Sequence, residues 1–336
     1  MTILKKISTA ALSVLLVLVL LILAFNVFLN IVFFDFFSGS RDMGELEGIS
    51  DGFVHQGLDY VDGTFLTAGY MKEKGPSRIY RTKDGKSLGY TELLKENGDA
   101  YTRHAGGITH SGEYLYLAGS TGFDVFPLED VLNGEPTTTC LGTVESFNDP
   151  AWCTAYGGYI FGGSFACSDD DSYVPEANEV MTSPDGSVNN SIITIFKLDG
   201  NAKLGIDPAP VAVISSGDKV QGACFTEDGN LILSTSWGLT VSKFLFYNLK
   251  DATAEGTAIL GKSEDSDGVC VPVYYLDSRT LTYTLKSIPM AEEIVIVDGR
   301  MYIMNESASH KYLFGNLIGG RRFYAYEITD EHFKKQ

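Results

Sequence analysis

Cationic side chains are scarce in this chain: 25 Lys and Arg stand against 43 Asp and Glu, a formal net charge of -18. Nucleic-acid binders grip phosphate through clustered Lys and Arg, so this balance argues against that class. No run of like charge is long enough to form a tail. The acid is spread through loops, as on the solvated surface of an exported protein. Cysteine is sparse too. The five (Cys140, Cys153, Cys167, Cys224 and Cys270) are odd in number and show no C-x-x-C spacing. That excludes a dense disulfide scaffold and a zinc or thiol-redox motif. An H-E-x-x-H helix and a glycine-rich dinucleotide fingerprint are also missing, and the cofactor stays unknown at this level.

Charge is absent altogether from Ile7 to Phe34, where ALSVLLVLVLLILAFNVFLNIVFF is almost wholly apolar. A bilayer core requires roughly 20 such residues in a helix. Lys5 and Lys6 precede the run, and Asp35, Arg41, Asp42, Glu45 and Glu47 follow it. This asymmetry places the N-terminus in the cytoplasm and the remainder outside the cell membrane. A cleaved signal peptide is the competing reading. It calls for a shorter apolar region ending in small residues, whereas Phe33, Phe34, Phe36 and Phe37 crowd this end. An uncleaved single-pass signal anchor is therefore the expectation. Residues 1–6 form a cytoplasmic tip, 7–37 the transmembrane anchor, and 38–50 a polar stalk that doubles as a candidate ring-closing strand. A repeating domain follows over 51–330, then a short tail over 331–336.

Within that domain, short β-rich runs meet turns at Asp62-Gly63, Ser111-Gly112, Gly157-Gly158, Asp228-Gly229 and Asp298-Gly299. Glycine accepts positive φ without steric cost, so X-Gly between such runs is a strong hairpin signal. Hairpins recurring every few tens of residues predict an all-β fold of radially repeated sheets, a β-propeller. The turn glycines lie 49, 46, 71 and 70 residues apart. A four-stranded blade needs about 40–50 residues, so the last two gaps imply insertions. One is the acidic stretch 167–190; the other is 261–270. Third strands are read at 77–82, 122–128, 191–198, 242–249 and 321–328, and fourth strands in KSLGYTEL, TTTCLGTV, APVAVISS and LTYTLKSI. The fifth unit lacks a fourth strand, and MGELEGIS (43–50) is the available donor. The count is five blades, or six if the stretched fourth unit hides another.

The hairpin rhythm over residues 51–330 resembles the propeller class that includes NHL-type, lactonase-like and SMP-30-like proteins. The segment SIPMAEEIVIVDGRMYIMNESASHKYLFGNLIGGRRFYAYEI resembles the last blade of membrane-anchored bacterial propellers. The resemblance implies a fold rather than an activity.

Inner strands of a propeller start at one mouth of the central channel. Aligned on the turns, these starts carry His55, Gln56, Arg103, His104, Asn148, Asp149, Gln221, Glu292 and Glu293. His55 and His104 fall at one position in adjacent units. Trp152 and Trp237, the two tryptophans, lie near the same mouth, where they offer rings for stacking on a sugar or peptide. Converging polar groups in a funnel mark the default ligand site. The leading expectation is a membrane-anchored extracytoplasmic binding or scaffolding module for a protein, peptide or glycan. The alternative is a metal-dependent hydrolase of lactonase, esterase or glycosidase type in the same funnel. His55, His104 and Asp149 or Glu292 would form its two-His-one-carboxylate set. The word Asn148-Asp149-Pro150 resembles that of five-bladed glycosidases, where the pair of carboxylates does the chemistry. Here it lies in the third unit, and the matching place in the fourth holds Gln221, which puts that activity in doubt. Whether the protein is an enzyme, and which residues would be catalytic, stays open at this level.

Overall fold

The computed structural model describes residues 2–261, 267–312 and 315–335. Its strands form a five-bladed propeller. Blade 1 comprises Phe53–Val61, Thr64–Met71, Arg78–Lys83 and Lys86–Leu94; blade 2, Ile108–Ser111, Tyr114–Ala118, Gly122–Pro127 and Gly142–Glu145. Blade 3 comprises Pro150–Tyr156, Tyr159–Ser164, Ser191–Leu198 and Ile206–Ser216; blade 4, Val220–Phe225, Leu231–Thr235, Ser242–Tyr247 and Leu281–Ser287. Blade 5 has three strands of its own, Ala291–Val297, Arg300–Asn305 and Arg322–Glu327. Its outer strand is Ser40–Glu45, antiparallel to the third.

The glycine turns behave as their chemistry requires. Asp62-Gly63, Gly157-Gly158 and Asp298-Gly299 have both residues at positive φ, the mirror-image turn whose twist matches paired strands. Among the described residues, the stretched fourth unit holds no sixth blade. Thr257–Leu260 and Val269–Tyr275 form a hairpin, and its second strand runs parallel to Ile206–Ser216, widening blade 3. Part of the expected 261–270 insertion (residues 262–266) lies outside the described residues. TTTCLGTV divides: Thr137–Thr139 lines the outer edge of blade 1, and Gly142–Glu145 completes blade 2.

Ring closure starts three residues before the expected donor, at Ser40, so part of the anticipated stalk, Ser40–Glu45, is sheet. Directly ahead of it, helix α1 (Thr2–Val32) leads into the short α2 (Phe34–Gly39). The span Leu12–Val32 is long and apolar enough to cross a bilayer. Asn26 and Asn30 spend their amides on carbonyls one turn back, Ile22 O and Asn26 O, each at 2.9 Å. Leu29, Phe33 and Phe36 are buried in a core cluster shared with Phe244, Leu285, Ile303 and Tyr324. Phe36 meets Tyr324 edge-on at 5.1 Å. The end of the apolar helix is thus part of the packing between blades 4 and 5.

Register also fixes which face of the ring this helix meets. In blade 5 the mouth-side pair is Ala291 with Asn305, and Val297 pairs with Arg300 at the other end. Arg300 pairs with Glu327, and Ser40 with the adjacent Tyr326. Ser40 and the helices before it therefore sit at the end of blade 5 remote from the mouth.

Candidate functional site

At the start of the inner strands, blades 1, 3 and 4 each carry one extra residue opposite their neighbour strand: Gln56, Ala151 and Gln221. In blade 5, Glu292 and Glu293 together oppose the single residue Met304. A β-bulge of this kind bends the strand and re-aims a side chain. Gln56, Ala151 and Gln221, with Gly106 of blade 2, line a cavity of about 580 Å³ at the mouth. Arg103, His104, Ser120 and Asp149 line it too, with Phe165, Tyr173 and Trp237. These three rings form a contiguous group on the blade 3–4 side, with centroid separations of 5.5 Å (Phe165–Trp237), 4.8 Å (Tyr173–Trp237) and 5.4 Å (Phe165–Tyr173).

Six of the eleven sequence-derived residues thus meet at one cavity: Gln56, Arg103, His104, Asp149, Gln221 and Trp237. The other five have different surroundings. His55 is buried, its Nε2 donating to Glu47 O at 2.8 Å and its ring 4.9 Å from Phe53. Burial outweighs that hydrogen bond and lowers its pKa to about 4. His55 pairs with Gly69, whereas in blade 2 Gly107 accepts from Ala118 N and Ile108 pairs with Leu117. The counterpart of His55 is therefore Ala105, and His104 lies one residue earlier, open to the cavity. Asn148 donates to Gly162 O (3.1 Å) and accepts from Thr194 Oγ1 (3.0 Å) inside blade 3. Trp152 is fully buried, packed where Gly163 leaves room for its indole.

Glu293 reaches the middle of the ring. Its Oε2 accepts the backbone N–H of Leu58 (2.6 Å) from blade 1 and of Ile108 (2.9 Å) from blade 2. Glycines make room for it, since a Cβ on Gly222 would lie 2.5 Å from its Cα and one on Gly107 2.8 Å from its Oε1. Burial pushes this carboxyl well up, against the pull of those N–H groups. Glu292 is also buried, beside a polar cluster that sequence reasoning missed. There Tyr70 donates to Glu306 Oε1 at 3.0 Å, and Lys311 Nζ reaches Tyr70 Oη at 2.5 Å and Glu306 at 3.8 Å. The Tyr70 ring lies 4.7 Å from that of His104. Burial raises the Glu306 carboxyl; for Glu292, burial and then the Glu306 and Glu293 charges push it well up. Burial and the Lys311 charge hold His104 down at about 4, so the imidazole is neutral at physiological pH.

Arg103 pairs with buried Asp124 at 3.2 Å, an acceptor also held by Tyr101 and Thr143. Among the described residues, no three His, Cys, Asp or Glu side chains converge as a metal-ligand set. Two short words have catalytic spelling, GKSLG (85–89) and GTAILGKS (256–263); the first and the described part of the second, 256–261, are not among the residues lining the mouth cavity. The first starts at the positive-φ Gly85 of a hairpin turn and continues into Lys86–Leu94, with no helix to form a nucleophile elbow. In the second, Thr257–Leu260 is a hairpin edge strand rather than a buried strand feeding a phosphate loop.

No protein-family model and no curated protein sequence matches the chain. Solved structures similar in arrangement include the glutaminyl cyclase of Myxococcus xanthus, at 11% identity and TM-score 0.45, covering 85% of this chain and 94% of that one. The PQQ-bound aldose sugar dehydrogenase of Streptomyces coelicolor is 14% identical, with TM-score 0.43 and coverage of 85% and 95%. A calcium-binding regucalcin of Agrobacterium tumefaciens is 12% identical, with TM-score 0.41 and coverage of 86% and 93%.

Proposed function

We propose that the protein is a membrane-anchored binding module whose propeller lies outside the cell and captures its ligand at the mouth. The N-terminal Lys5 and Lys6 are held in the cytoplasm, and α1 crosses the bilayer as an uncleaved anchor. The observation that carries the reading is the cavity of about 580 Å³ on the ring face remote from the helix. Its size suits a small ligand or one protruding group of a larger partner. Packing of Phe33 and Phe36 into the blade 4–5 core supports retention of the helix end, because cleavage beyond them would strip core side chains. Cys270 is exposed and the other four cysteines are buried, which gives a direct test of orientation. A membrane-impermeant maleimide should label Cys270 in intact cells expressing the full chain. Labelling that requires permeabilised cells would reverse the topology. Binding itself is tested by filling the mouth: Ala151→Trp should abolish capture of ligands found by glycan and peptide arrays.

A hydrolase is the second reading, favoured by Glu292 and Glu306. Burial raises both carboxyls, the direction in which a general acid is tuned. Turnover of a lactone, ester or glycoside panel, lost in Glu306→Gln with melting temperature preserved, would support it. No turnover would leave the binding module standing alone.

A further inference from the structure

The walls of the cavity differ in chemistry, and that difference narrows the ligand class. This step rests on the mouth being a binding site. The blade 3–4 side presents the Phe165, Tyr173 and Trp237 group. Blades 1 and 2 contribute Gln56, Arg103, His104 and Ser120, while Asp149 and Gln221 complete the lining. These polar groups form a balanced set. A neutral imidazole has one donor and one acceptor, an amide and a hydroxyl have both, a carboxylate accepts, and a guanidinium donates. The cations near the mouth are already engaged, Arg103 with Asp124 and Lys311 with Glu306. A phosphate ligand would call for uncommitted clustered cations, and an amine for several converging carboxylates, whereas Asp149 is the carboxylate that lines this cavity.

A pyranose satisfies both walls. One face of the ring is a patch of C–H groups that lies flat on an aromatic side chain, and its edge is a row of hydroxyls that donate and accept. We propose that the mouth binds a neutral sugar ring of an oligosaccharide. The C–H face lies against Trp237 and its aromatic neighbours, and the hydroxyl edge meets Gln221, His104 and Asp149. Size agrees, since about 580 Å³ lies within the roughly 300–1,000 Å³ of small-ligand sites. A ring-bearing peptide side chain is the nearest competitor, but it has no hydroxyl row to occupy this number of polar groups.

The test uses the full chain in phosphatidylcholine nanodiscs, because maltoside detergents carry sugar headgroups. Maltotetraose, cellotetraose and chitotetraose are titrated by calorimetry, backed by a neutral-glycan array. Trp152 is fully buried and Trp237 lines the cavity, so ligand-induced change in tryptophan emission reports the site. At least one neutral saccharide should bind saturably. W237A should weaken it tenfold or more with melting temperature preserved, D149N less, and W237F should stay within about threefold of wild type. Such losses follow from removing a stacking face or one charge-assisted hydrogen bond. Absence of saturable binding across the glycan array, or binding undiminished in W237A, overturns the proposal. A peptide ligand blocked by A151W would overturn the sugar and keep the mouth; capture that survives A151W would remove the mouth as well.

Discussion

Removing the Glu293 side chain asks whether the ring is held together at its centre. Its carboxyl group joins blade 5 to blades 1 and 2 by accepting from the N–H groups of Leu58 (2.6 Å) and Ile108 (2.9 Å). Glu293→Ala leaves both donors without that acceptor in a site closed to solvent. Each stranded buried donor costs about 1–3 kcal/mol, so the pair costs about 2–6 kcal/mol. A domain of this size loses roughly 2 °C of melting temperature per kcal/mol, giving a fall of about 4–12 °C. Glu293→Gln keeps a carbonyl oxygen for the two donors and should cost much less.

The pH dependence supplies a second readout. In the folded state the Glu293 carboxyl titrates well above its ordinary 4.5 because of burial. Unfolded chain releases this proton as pH passes 4.5, while folded protein retains it. Between those values the native state binds more protons, so its stability falls as pH rises. Glu293→Gln has no proton to lose, and its deficit relative to wild type should shrink from pH 4.5 upward. The assay is thermal unfolding of the full chain in nanodiscs across that range. Equal melting temperatures for Glu293→Ala and wild type, or a Glu293→Gln deficit that widens with pH, would refute the reasoning.

Other sites give independent expectations. Gly222→Ala places a Cβ 2.5 Å from Glu293 Cα and should destabilise by about 1–3 kcal/mol through overpacking, read by chemical unfolding. Phe36→Ala empties a fully buried position against Tyr324; about 3–5 kcal/mol should be lost. A chain beginning at Met43 lacks the Ser40, Arg41 and Asp42 pairings with blade 5. It should melt lower and self-associate by light scattering, whereas one beginning at Asn26 should not. His110 donates to Asp59 at 2.6 Å; burial opposes its charge, but the hydrogen bond and the Asp59 charge prevail and raise its pKa. The stability it adds is complete below 6.5 and lost as pH climbs through the raised value. His110→Gln should flatten that segment of the pH–stability curve.

Much of the architecture was legible because propeller hairpins advertise themselves locally. Asp62-Gly63 and Asp298-Gly299 adopt a turn that few other residue pairs tolerate, and the strands around them follow directly. Side-chain direction at the mouth was less legible. Aligning blades on their turns assumes inner strands of equal length, yet blade 1's spans Phe53–Val61 and blade 2's Ile108–Ser111. The bulge at Gln56 adds a further shift. One residue of register reverses a side chain, which is why His55 packs against Phe53 while His104 meets the cavity. Trp152 went inward because Gly163 vacates its space, a contact that no local pattern reveals. The Tyr70–Lys311 hydrogen bond joins residues 241 apart. It exists because ring closure sets blade 5 beside blade 1, and one sequence gives no hint of that neighbourhood.

The offset of the cavity follows from the same bulged ring of positions. Blades 1, 4 and 5 place Gln56, Gln221 and Glu292 there, whereas blades 2 and 3 place Gly106 and Ala151. Five large polar residues would have met across the mouth and filled it with their own hydrogen bonds. Two small ones hollow one side and leave amides bordering the space. The long segment from Phe165 to Asn190 rises from blade 3 on that hollow side, bringing Phe165 and Tyr173 against Trp237. Filling the hollow should therefore be structurally cheap and functionally costly. Ala151 lines the cavity and also borders the blade 3 core; if the ring of Ala151→Trp enters the cavity, stability should hold while binding disappears. The reverse outcome, a destabilised fold with binding intact, would mean that the void belongs to the packing of the ring and not to a ligand.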